Sequence, residues 1–370
     1  MIKSTTKLKE LYSAQAPLYL EKGGRLPRVR VAYETYGRLN AAGDNALLVC
    51  HALTGDAHAA GQTSVDNTLL RQIPLYAAKK KGQPGWWDGL IGPGKALDTE
   101  RYFVICSNVL GSCYGTSGPA SVDGDGGREW KGGFPEVTVR DMVKVQKKLL
   151  DELGVHRLQT VIGGSLGGMQ ALEWAVSYPR QVRSVIPIAT AARHSAWAIG
   201  FSHLMRQAIK NDPGWREGAY TVPPARGLSL ARQIGMISYR TDISFQRRFA
   251  YKKNAEKGQF EVESYLSYQG DKLVERFDAN SFILLTEAMD SHDLGRDRGG
   301  VEQALASVKA SALCVGIDSD LLYPAHEQRE IAGGIPGARY HEIRSRHGHD
   351  AFLIEYDQLE KIIKPFLNGL

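Results

Sequence analysis

Cysteine is scarce in this 370-residue sequence, and long apolar runs are absent. The cysteines form no CxxC pair and each lies in or beside a short apolar run, which disfavours a disulfide framework or a cysteine-based metal site. They are Cys50, Cys106, Cys113 and Cys314. The N-terminal residues lack the apolar core of a signal peptide, and no stretch is long enough to span a membrane. We therefore expect buried free thiols and a cytoplasmic location.

Basic residues are in slight excess, but they form no stripe. The formal net charge is +6 at pH 7, and Lys and Arg are scattered without interleaved aromatic residues, so nucleic-acid binding is not expected. A mild positive charge would still attract an anionic small molecule such as a nucleotide-bearing acyl carrier. The 43% of hydrophobic and 23% of charged residues are typical of a globular protein with a sizeable core, which excludes a disordered chain.

Short apolar runs predict the strands of a sheet. Residues 28–37 alternate between apolar and polar side chains, as an early antiparallel strand does. The runs at 45–50 and 102–106 suit strands that are buried on both faces. Further strands are predicted at 158–162, 182–188, 313–317 and 339–343.

Two helices separate strands in the middle of the chain. Residues 138–153 have apolar side chains at helical spacing, with Thr138 as N-cap and Asp141 three residues later. A second helix follows the strand at 158–162 and stops at Pro179. This alternation of strand and helix predicts an α/β protein with a mostly parallel, doubly wound sheet.

The pattern changes in the second half of the chain. From about 190 to 309 the sequence is polar, helical in period and poor in strand-like runs, and strand-like sequence resumes at 313–317. We therefore predict a core domain of residues 1–189 and 310–370, interrupted by a helical lid of residues 190–309.

Residues 163–168, which read Gly-Gly-Ser-Leu-Gly-Gly, lie between a predicted strand and a predicted helix. A G-x-S-x-G sequence in this context is typical of the nucleophile elbow, where small neighbours permit a sharp turn that lifts the serine above the sheet. A phosphate-binding glycine-rich turn is the alternative, but Ser165 occupies a position where the dinucleotide-binding pattern requires glycine. We predict that Ser165 is the nucleophile of an α/β-hydrolase fold.

A serine hydroxyl needs a base, which in this fold comes late in the chain and after an Asp or Glu. His347 and His349 lie in a loop after the last predicted strand. We choose His349, which is next to the following helix, and keep His347 as the alternative. Asp318 and Asp320 both follow the preceding strand, and either could orient the base through a hydrogen bond. Spacing alone does not separate the two carboxylates.

Acyl transfer also requires backbone amides that meet the developing oxyanion. One should be the amide of Leu166, the residue after the nucleophile. The second should come from the loop after an early strand, and residues 51–55 follow the strand at 45–50. Within that loop we choose the amide of Leu53.

Eight segments of the sequence resemble the homoserine O-acetyltransferase family, and together they run across nearly the whole chain. They are HALTGDAHAAG (51–61), PGWWDGLIGPG (84–94), SNVLGSCYGTSGP (107–119), GGSLGGMQALEWA (163–175), ARQIGMISYRT (231–241), SHDLGRDRGG (291–300), SDLLYP (319–324) and GHDAFL (348–353). The resemblance implies transfer of an acetyl group from acetyl-CoA to the hydroxyl of L-homoserine, through an acyl-serine, in methionine biosynthesis. It also implies Asp320 as the acid and His349 as the base.

The same resemblance implies how an amino-acid substrate is held. Asp350 would bind the amino group of homoserine, and Arg232 would bind its carboxylate, since arginine offers a bidentate fit. The resemblance also implies Tyr239 as a substrate-binding residue, and Arg240 is the alternative carboxylate clamp.

The family also implies partners and rival activities. Acetyl-CoA is a co-substrate, no resident cofactor is expected, and a homodimer formed through the lid is expected. We predict no metal, because Ser291-His292-Asp293 supplies too few ligands for a closed site. Relatives that use succinyl-CoA or acylate serine remain alternatives, although SDLLYP favours the acetyl type, and a serine esterase could use the same triad.

Overall fold

A central sheet of eight strands organises the chain. The computed structural model describes residues 3–63, 67–78, 82–122, 129–254 and 258–370. The strands are β1 (Lys7–Leu11), β2 (Val29–Tyr36), β3 (Ala46–Cys50), β4 (Phe103–Ser107), β5 (Leu158–Gly164), β6 (Ser184–Ile188), β7 (Ser311–Ile317) and β8 (Arg339–Ile343). Two-residue ladders pair Lys3–Ser4 with Gln62–Thr63 and Leu18–Tyr19 with Arg25–Leu26.

The strand order is β8-β7-β6-β5-β3-β4-β2-β1. The six strands from β8 to β4 are parallel, whereas β2 pairs antiparallel with β4 and β1 antiparallel with β2. The predicted α/β-hydrolase fold with a mostly parallel, doubly wound sheet is therefore confirmed. The early strand predicted at 28–37 is antiparallel, as expected, and β8 has the predicted bounds.

Helices cover both faces of the sheet and fill the segment between β6 and β7. They are α1 (Asn67–Gln72), α2 (Val139–Glu152), α3 (Leu166–Ser177), α4 (Ala196–Lys210), α5 (Ala225–Tyr239), α6 (Asp242–Phe249), α7 (Glu261–Val274), α8 (Ala279–Asp290), α9 (Val301–Ala306), α10 (Ala325–Gly334) and α11 (Tyr356–Asn368). Shorter 3₁₀ helices are Pro74–Ala78, Lys131–Gly133, Arg216–Gly218 and Gly348–Leu353. None of the helices in these ranges is long and apolar enough to cross a membrane.

Side-chain alternation along the buried strands explains the layers. In β3, Leu48 and Cys50 face a cluster shared with α2, α3 and α10, whereas Leu47 and Val49 face a cluster shared with α11. A third apolar cluster continues from the start of α3 into the lid helices, from Met169 to Leu228. The lid therefore rests on the end of the sheet where α3 begins.

Local signals account for the helix bounds. Thr138 and Asp141 form the predicted capping box at the start of α2, with the Thr138 hydroxyl accepting from the Asp141 amide. Helix α3 begins at Leu166, directly after Ser165, rather than after the glycines that follow it. The segment predicted as a lid contains α4 to α9, and its bounds at 190 and 309 stay a prediction.

Candidate active site

Ser165 occupies the turn between the end of β5 and the start of α3. Its φ of 58° and ψ of −124° lie in a region that non-glycine residues rarely adopt. The Ser165 amide donates to the carbonyl of Ile188 at 3.0 Å, and the Thr190 hydroxyl donates to the Ser165 carbonyl at 2.8 Å. These bonds hold the strained residue in place, as is typical of a functional site.

The glycines around Ser165 have no room for a side chain. A Cβ on Gly167 would lie 2.1 Å from the Cys50 carbonyl oxygen, and one on Gly164 would lie 2.5 Å from a ring carbon of Phe352. The other two glycines of the motif are confined to a similar degree. The glycine pattern therefore reflects the close packing of α3 against the strands, which is the physical basis of the predicted elbow.

Asp320 and His349 meet although 29 residues separate them in the sequence. Asp320 follows β7 and His349 lies in the short helix Gly348–Leu353 after β8. The Asp320 Oδ2 lies 2.7 Å from the His349 Nδ1, while Oδ1 accepts the amides of Leu322 at 2.8 Å and Tyr323 at 2.9 Å. This arrangement keeps a proton on Nδ1 and leaves Nε2 able to accept one.

The surroundings of His349 change its proton affinity. Burial by itself lowers the pKa of His349, but the charge of Asp320, its hydrogen bond and the charge of Asp350 together raise that pKa above its ordinary value. The two alternatives lie elsewhere. Asp318 accepts the amide of Ser345 at 2.9 Å, and His347 lines a separate groove beside Arg240.

One cavity brings the candidate side chains together at the lid side of the sheet. Ser165 and His349 line it, and Asp320 lies behind the imidazole. The other predicted residues that line the same cavity are Leu53, Arg232, Tyr239 and Asp350.

The amides of Leu53 and Leu166 are candidates for an oxyanion site. Leu166 is the first residue of α3, so its amide has no partner within the helix. Within the described residues, neither amide donates a backbone hydrogen bond of the kind that turns, loops and helix caps make. Helix α3 also directs its positive end at this position, which favours negative charge there.

Charged groups of opposite sign line the cavity beside the dyad. The Arg232 guanidinium lies 5.6 Å from the centre of the Tyr239 ring and makes no ion pair or hydrogen bond within the described residues. Burial, above all, lowers the pKa of Arg232, and the nearby Arg276 acts in the same direction. Asp350 forms an ion pair with Arg240 at 3.0 Å. Arg240, the alternative carboxylate clamp, does not line the cavity.

Four residues that support this site were not predicted from the sequence. His194 lines the cavity, with Nδ1 3.0 Å from Asp290 and Nε2 2.9 Å from the Tyr323 hydroxyl. His51 steadies the oxyanion loop by accepting the Val109 amide at 3.0 Å. Arg276, from the lid, donates to the Thr54 carbonyl at 3.0 Å, and Trp87 donates to the Phe352 carbonyl at 2.9 Å. Each pairing joins residues more than 50 positions apart, so local sequence contains no signal for it.

Among the described residues there is no group of three or more His, Cys, Asp or Glu that could hold a metal ion. His292, from the motif that contains potential ligands, is buried, and burial together with the charges of His194 and Arg296 lowers its pKa to about 3. The absence of a metal from the reaction stays a prediction.

Known proteins resemble this chain over almost its full length. A family model described as the alpha/beta hydrolase fold matches residues 45–356. A homoserine O-acetyltransferase of Moorella thermoacetica is 51% identical over 365 residues, covering 95% of this chain and 94% of that protein. The crystal structure of homoserine O-acetyltransferase from Bacillus anthracis has a TM-score of 0.88 and 30% identity, covering 100% of this chain and 98% of that one. Esterase E22 has a TM-score of 0.87 and 29% identity, covering 99% of this chain and 100% of its own.

Proposed function

Since this chain belongs to the homoserine O-acetyltransferase family of α/β hydrolases, we propose that it transfers an acetyl group from acetyl-CoA to the hydroxyl of L-homoserine. The product, O-acetyl-L-homoserine, is an intermediate on the route to methionine. The observation that supports this proposal best is an unpaired, half-buried cation, Arg232, which shares one cavity with the carboxylate of Asp350 and with Ser165.

The first half-reaction acylates Ser165. His349 Nε2 takes the proton of the Ser165 hydroxyl while its oxygen attacks the thioester carbonyl. The resulting oxyanion accepts hydrogen bonds from the amides of Leu53 and Leu166. The C–S bond then breaks, and His349 returns the proton to the departing thiolate of CoA, with Asp320 stabilising the imidazolium in between.

The second half-reaction passes the acetyl group to the alcohol. The γ-hydroxyl of homoserine loses its proton to His349 and attacks the acyl-serine, and His349 then protonates the Ser165 oxygen as the ester bond breaks. Water can attack the same ester, so the site must favour the bound alcohol.

A zwitterionic amino acid has a carboxylate that complements Arg232 and an ammonium group that complements Asp350. The carboxylate of homoserine binds Arg232 in a bidentate manner, with Tyr239 packed against the guanidinium. Its ammonium group binds Asp350, whose other side is held by Arg240. Fixing both ends of the amino acid directs its third polar group, the hydroxyl, toward the acyl-serine.

A thiol-release assay that crosses two donors with two acceptors tests the proposal. CoA release from acetyl-CoA should depend on homoserine and be much slower with serine or with succinyl-CoA. Rapid turnover of succinyl-CoA or of serine would instead assign one of those alternatives. Ser165→Ala should abolish both transfer and the trapped acyl-enzyme, and retention of most transfer would contradict the acyl-serine scheme.

An esterase is the second candidate, because esterase E22 is 29% identical over nearly the whole chain. Hydrolysis would proceed equally well without an amino-acid acceptor. Equal rates of CoA release with and without homoserine would therefore favour the esterase.

We further propose a homodimer, a cytoplasmic location and a reaction without a resident cofactor. Large apolar side chains are exposed on the lid, including Leu204 on α4 and Ile237 on α5, and a second copy could cover them. All four cysteines are buried and none forms a disulfide, as is typical of a reducing compartment. Cell fractionation tests the location, and activity that survives dialysis against EDTA supports the cofactor-free reaction.

A further inference from the structure

A groove with a concentrated positive charge lies next to the catalytic cavity. Its lining comes from α6, from the residue that follows α5, from one residue of α7 and from the segment that leads to His349. Its residues are Arg240, Ser244, Phe245, Arg247, Arg248, Phe249, Tyr265, Arg346 and His347. Four arginines thus surround a floor of three aromatic rings, and no carboxylate lines the groove within the described residues.

Most of this positive charge has no counterion. Arg240 pairs with Asp350, but its Nε is buried and has no hydrogen-bond partner within the described residues. Arg248 stacks on the Tyr265 ring at 4.6 Å. In the described part of the chain the side chains of Arg247 and Arg346 make neither an ion pair nor a hydrogen bond. Binding of an anion between like charges relieves their mutual repulsion, so this groove favours an anionic ligand.

The arginines of the groove also affect the pKa of the neighbouring His347. Burial, and then the charges of Arg240 and Arg346, lower the pKa of His347. The lowered pKa favours the neutral imidazole, which can still donate a hydrogen bond to an anion.

The groove and the catalytic cavity share a wall. Tyr239 and Asp350 line the cavity, whereas Arg240, the residue after Tyr239, and His347, three residues before Asp350, line the groove. The ion pair between Arg240 and Asp350 crosses this wall at 3.0 Å. Helix α6 begins two residues after Arg240, so Arg247 lies on the order of 10 Å further along the chain. A ligand with its reactive end at Ser165 and its anionic end some distance away fits this layout.

We infer that the arginine groove of α6 and Arg346 binds the phosphate groups of the nucleotide end of acyl-CoA while the thioester lies at Ser165. This inference rests on the proposed function and adds to it the place where the donor is held. Arginine forks bind phosphate oxygens in a bidentate manner, and the aromatic floor offers a surface for the nucleotide.

The test compares two acetyl donors that differ only in the nucleotide arm. Acetyl-CoA has it, and S-acetylpantetheine does not. We expect Arg247→Gln and Arg346→Gln each to raise the KM for acetyl-CoA about five- to tenfold, because exposed arginines contribute less than fully buried charge-assisted hydrogen bonds, and the double variant to raise it further. The KM and kcat for the truncated donor should stay unchanged. Arg180→Gln is the control, because this exposed arginine follows the far end of α3 from Ser165.

A measurement on the unaltered protein keeps the test independent of folding. Adenosine 3′,5′-bisphosphate should inhibit competitively against acetyl-CoA, and its inhibition constant should rise in both variants. An unchanged KM for acetyl-CoA in the double variant would overturn the inference. An equal loss with both donors would also overturn it, because the arginines would then act on the reaction centre.

Failure of the proposed function has a different signature. If the protein does not transfer acetyl groups from acetyl-CoA to homoserine, the unaltered chain will form no O-acetyl-homoserine from either donor. If only the inference is wrong, the unaltered chain will use both donors, and the groove variants will match it with acetyl-CoA.

Discussion

At the scale of single residues, the charge of Asp320 decides the pH range in which His349 can act as a base. His349 must be neutral to take a proton from Ser165. Because Asp320 and Asp350 raise the pKa of His349 against the effect of burial, activity is lost as the pH falls through a value above the ordinary 6.5 of histidine. Weak acidity should therefore inhibit the enzyme more than an isolated imidazole would suggest.

Replacing Asp320 by Asn tests this account. Burial of His349 is then opposed only by the charge of Asp350, so the acid limb of kcat/KM should move to lower pH. The same change should lower kcat by on the order of 10³ to 10⁴ at pH 8, since the tautomer is no longer fixed. The measurement is a pH–rate profile of both proteins. Asp318→Asn is the control, because that carboxylate binds the Ser345 amide rather than the imidazole. If the acid limb of Asp320→Asn lay at the same pH as that of the unaltered protein, the role of Asp320 would be refuted.

Arg232 should act on the acceptor and not on the donor. Arg232→Lys retains the charge but loses the bidentate fork, so the KM for homoserine should rise about tenfold or more. The burst of CoA released from acetyl-CoA in the absence of homoserine should be unchanged. Two-substrate kinetics and a stopped-flow thiol assay measure these effects.

Arg226→Gln provides the matched control for Arg232, because Arg226 is exposed on the same helix, α5. It should leave both constants unaltered. A slower burst in Arg232→Lys with no change in the KM for homoserine would place this arginine in the donor half-reaction instead.

At the scale of elements, the packing of α3 against β3 sets the elbow. The Cys50 carbonyl is backbone and cannot move aside for the Cβ of Gly167→Ala. We expect this variant to lose about 2 to 3 kcal/mol of unfolding free energy and most activity. Gly200→Ala, in α4, adds its Cβ to open space and should be neutral or stabilising by up to about 1 kcal/mol. Thermal unfolding compares the two, and equal midpoints would contradict the packing argument.

A second contact between elements joins the lid to the oxyanion loop. Arg276, between α7 and α8, donates to the Thr54 carbonyl and to the Tyr114 hydroxyl. Arg276→Met should lower kcat about tenfold by loosening the loop that presents the Leu53 amide, with little change in KM. Tyr114→Phe keeps the bond to Thr54 and should retain activity. Steady-state kinetics test the pair, and a similar loss of kcat in both would assign the effect to general destabilisation.

The predicted elements show what local sequence contains. The Thr138 capping box and the bounds of β8 follow from signals a few residues long, so both were predictable. The elbow at Ser165 was predictable because its glycines answer a local steric demand. The Arg240–Asp350 pair and the dyad of His194 with Asp290 depend on contacts between elements roughly 100 positions apart, which no local pattern encodes.

At the scale of the whole molecule, the fold concentrates distant segments at one end of the sheet. The strands β3, β5, β7 and β8 belong to the parallel part of the sheet and run in the same direction. The loops that follow them therefore meet at the same edge of the sheet. These loops provide Leu53, Ser165, Asp320 and His349. The family resemblance was needed to choose Asp320 over Asp318, because both follow the same strand.

Large apolar side chains on the exposed face of the lid bear on how the protein assembles. Leu204 on α4 is 54% exposed and Ile237 on α5 is 55% exposed, and burying such side chains contributes about 1.5 to 3 kcal/mol each. The proposed homodimer should therefore have about twice the 40.7 kDa mass of the chain in light scattering. Leu204→Asp combined with Ile237→Asp should shift it to the monomer at micromolar concentration. Tyr19→Asp, at an exposed position of the core domain outside the lid, should leave the dimer intact. A monomeric unaltered protein, or an equal shift with Tyr19→Asp, would rule out an interface on this face of the lid.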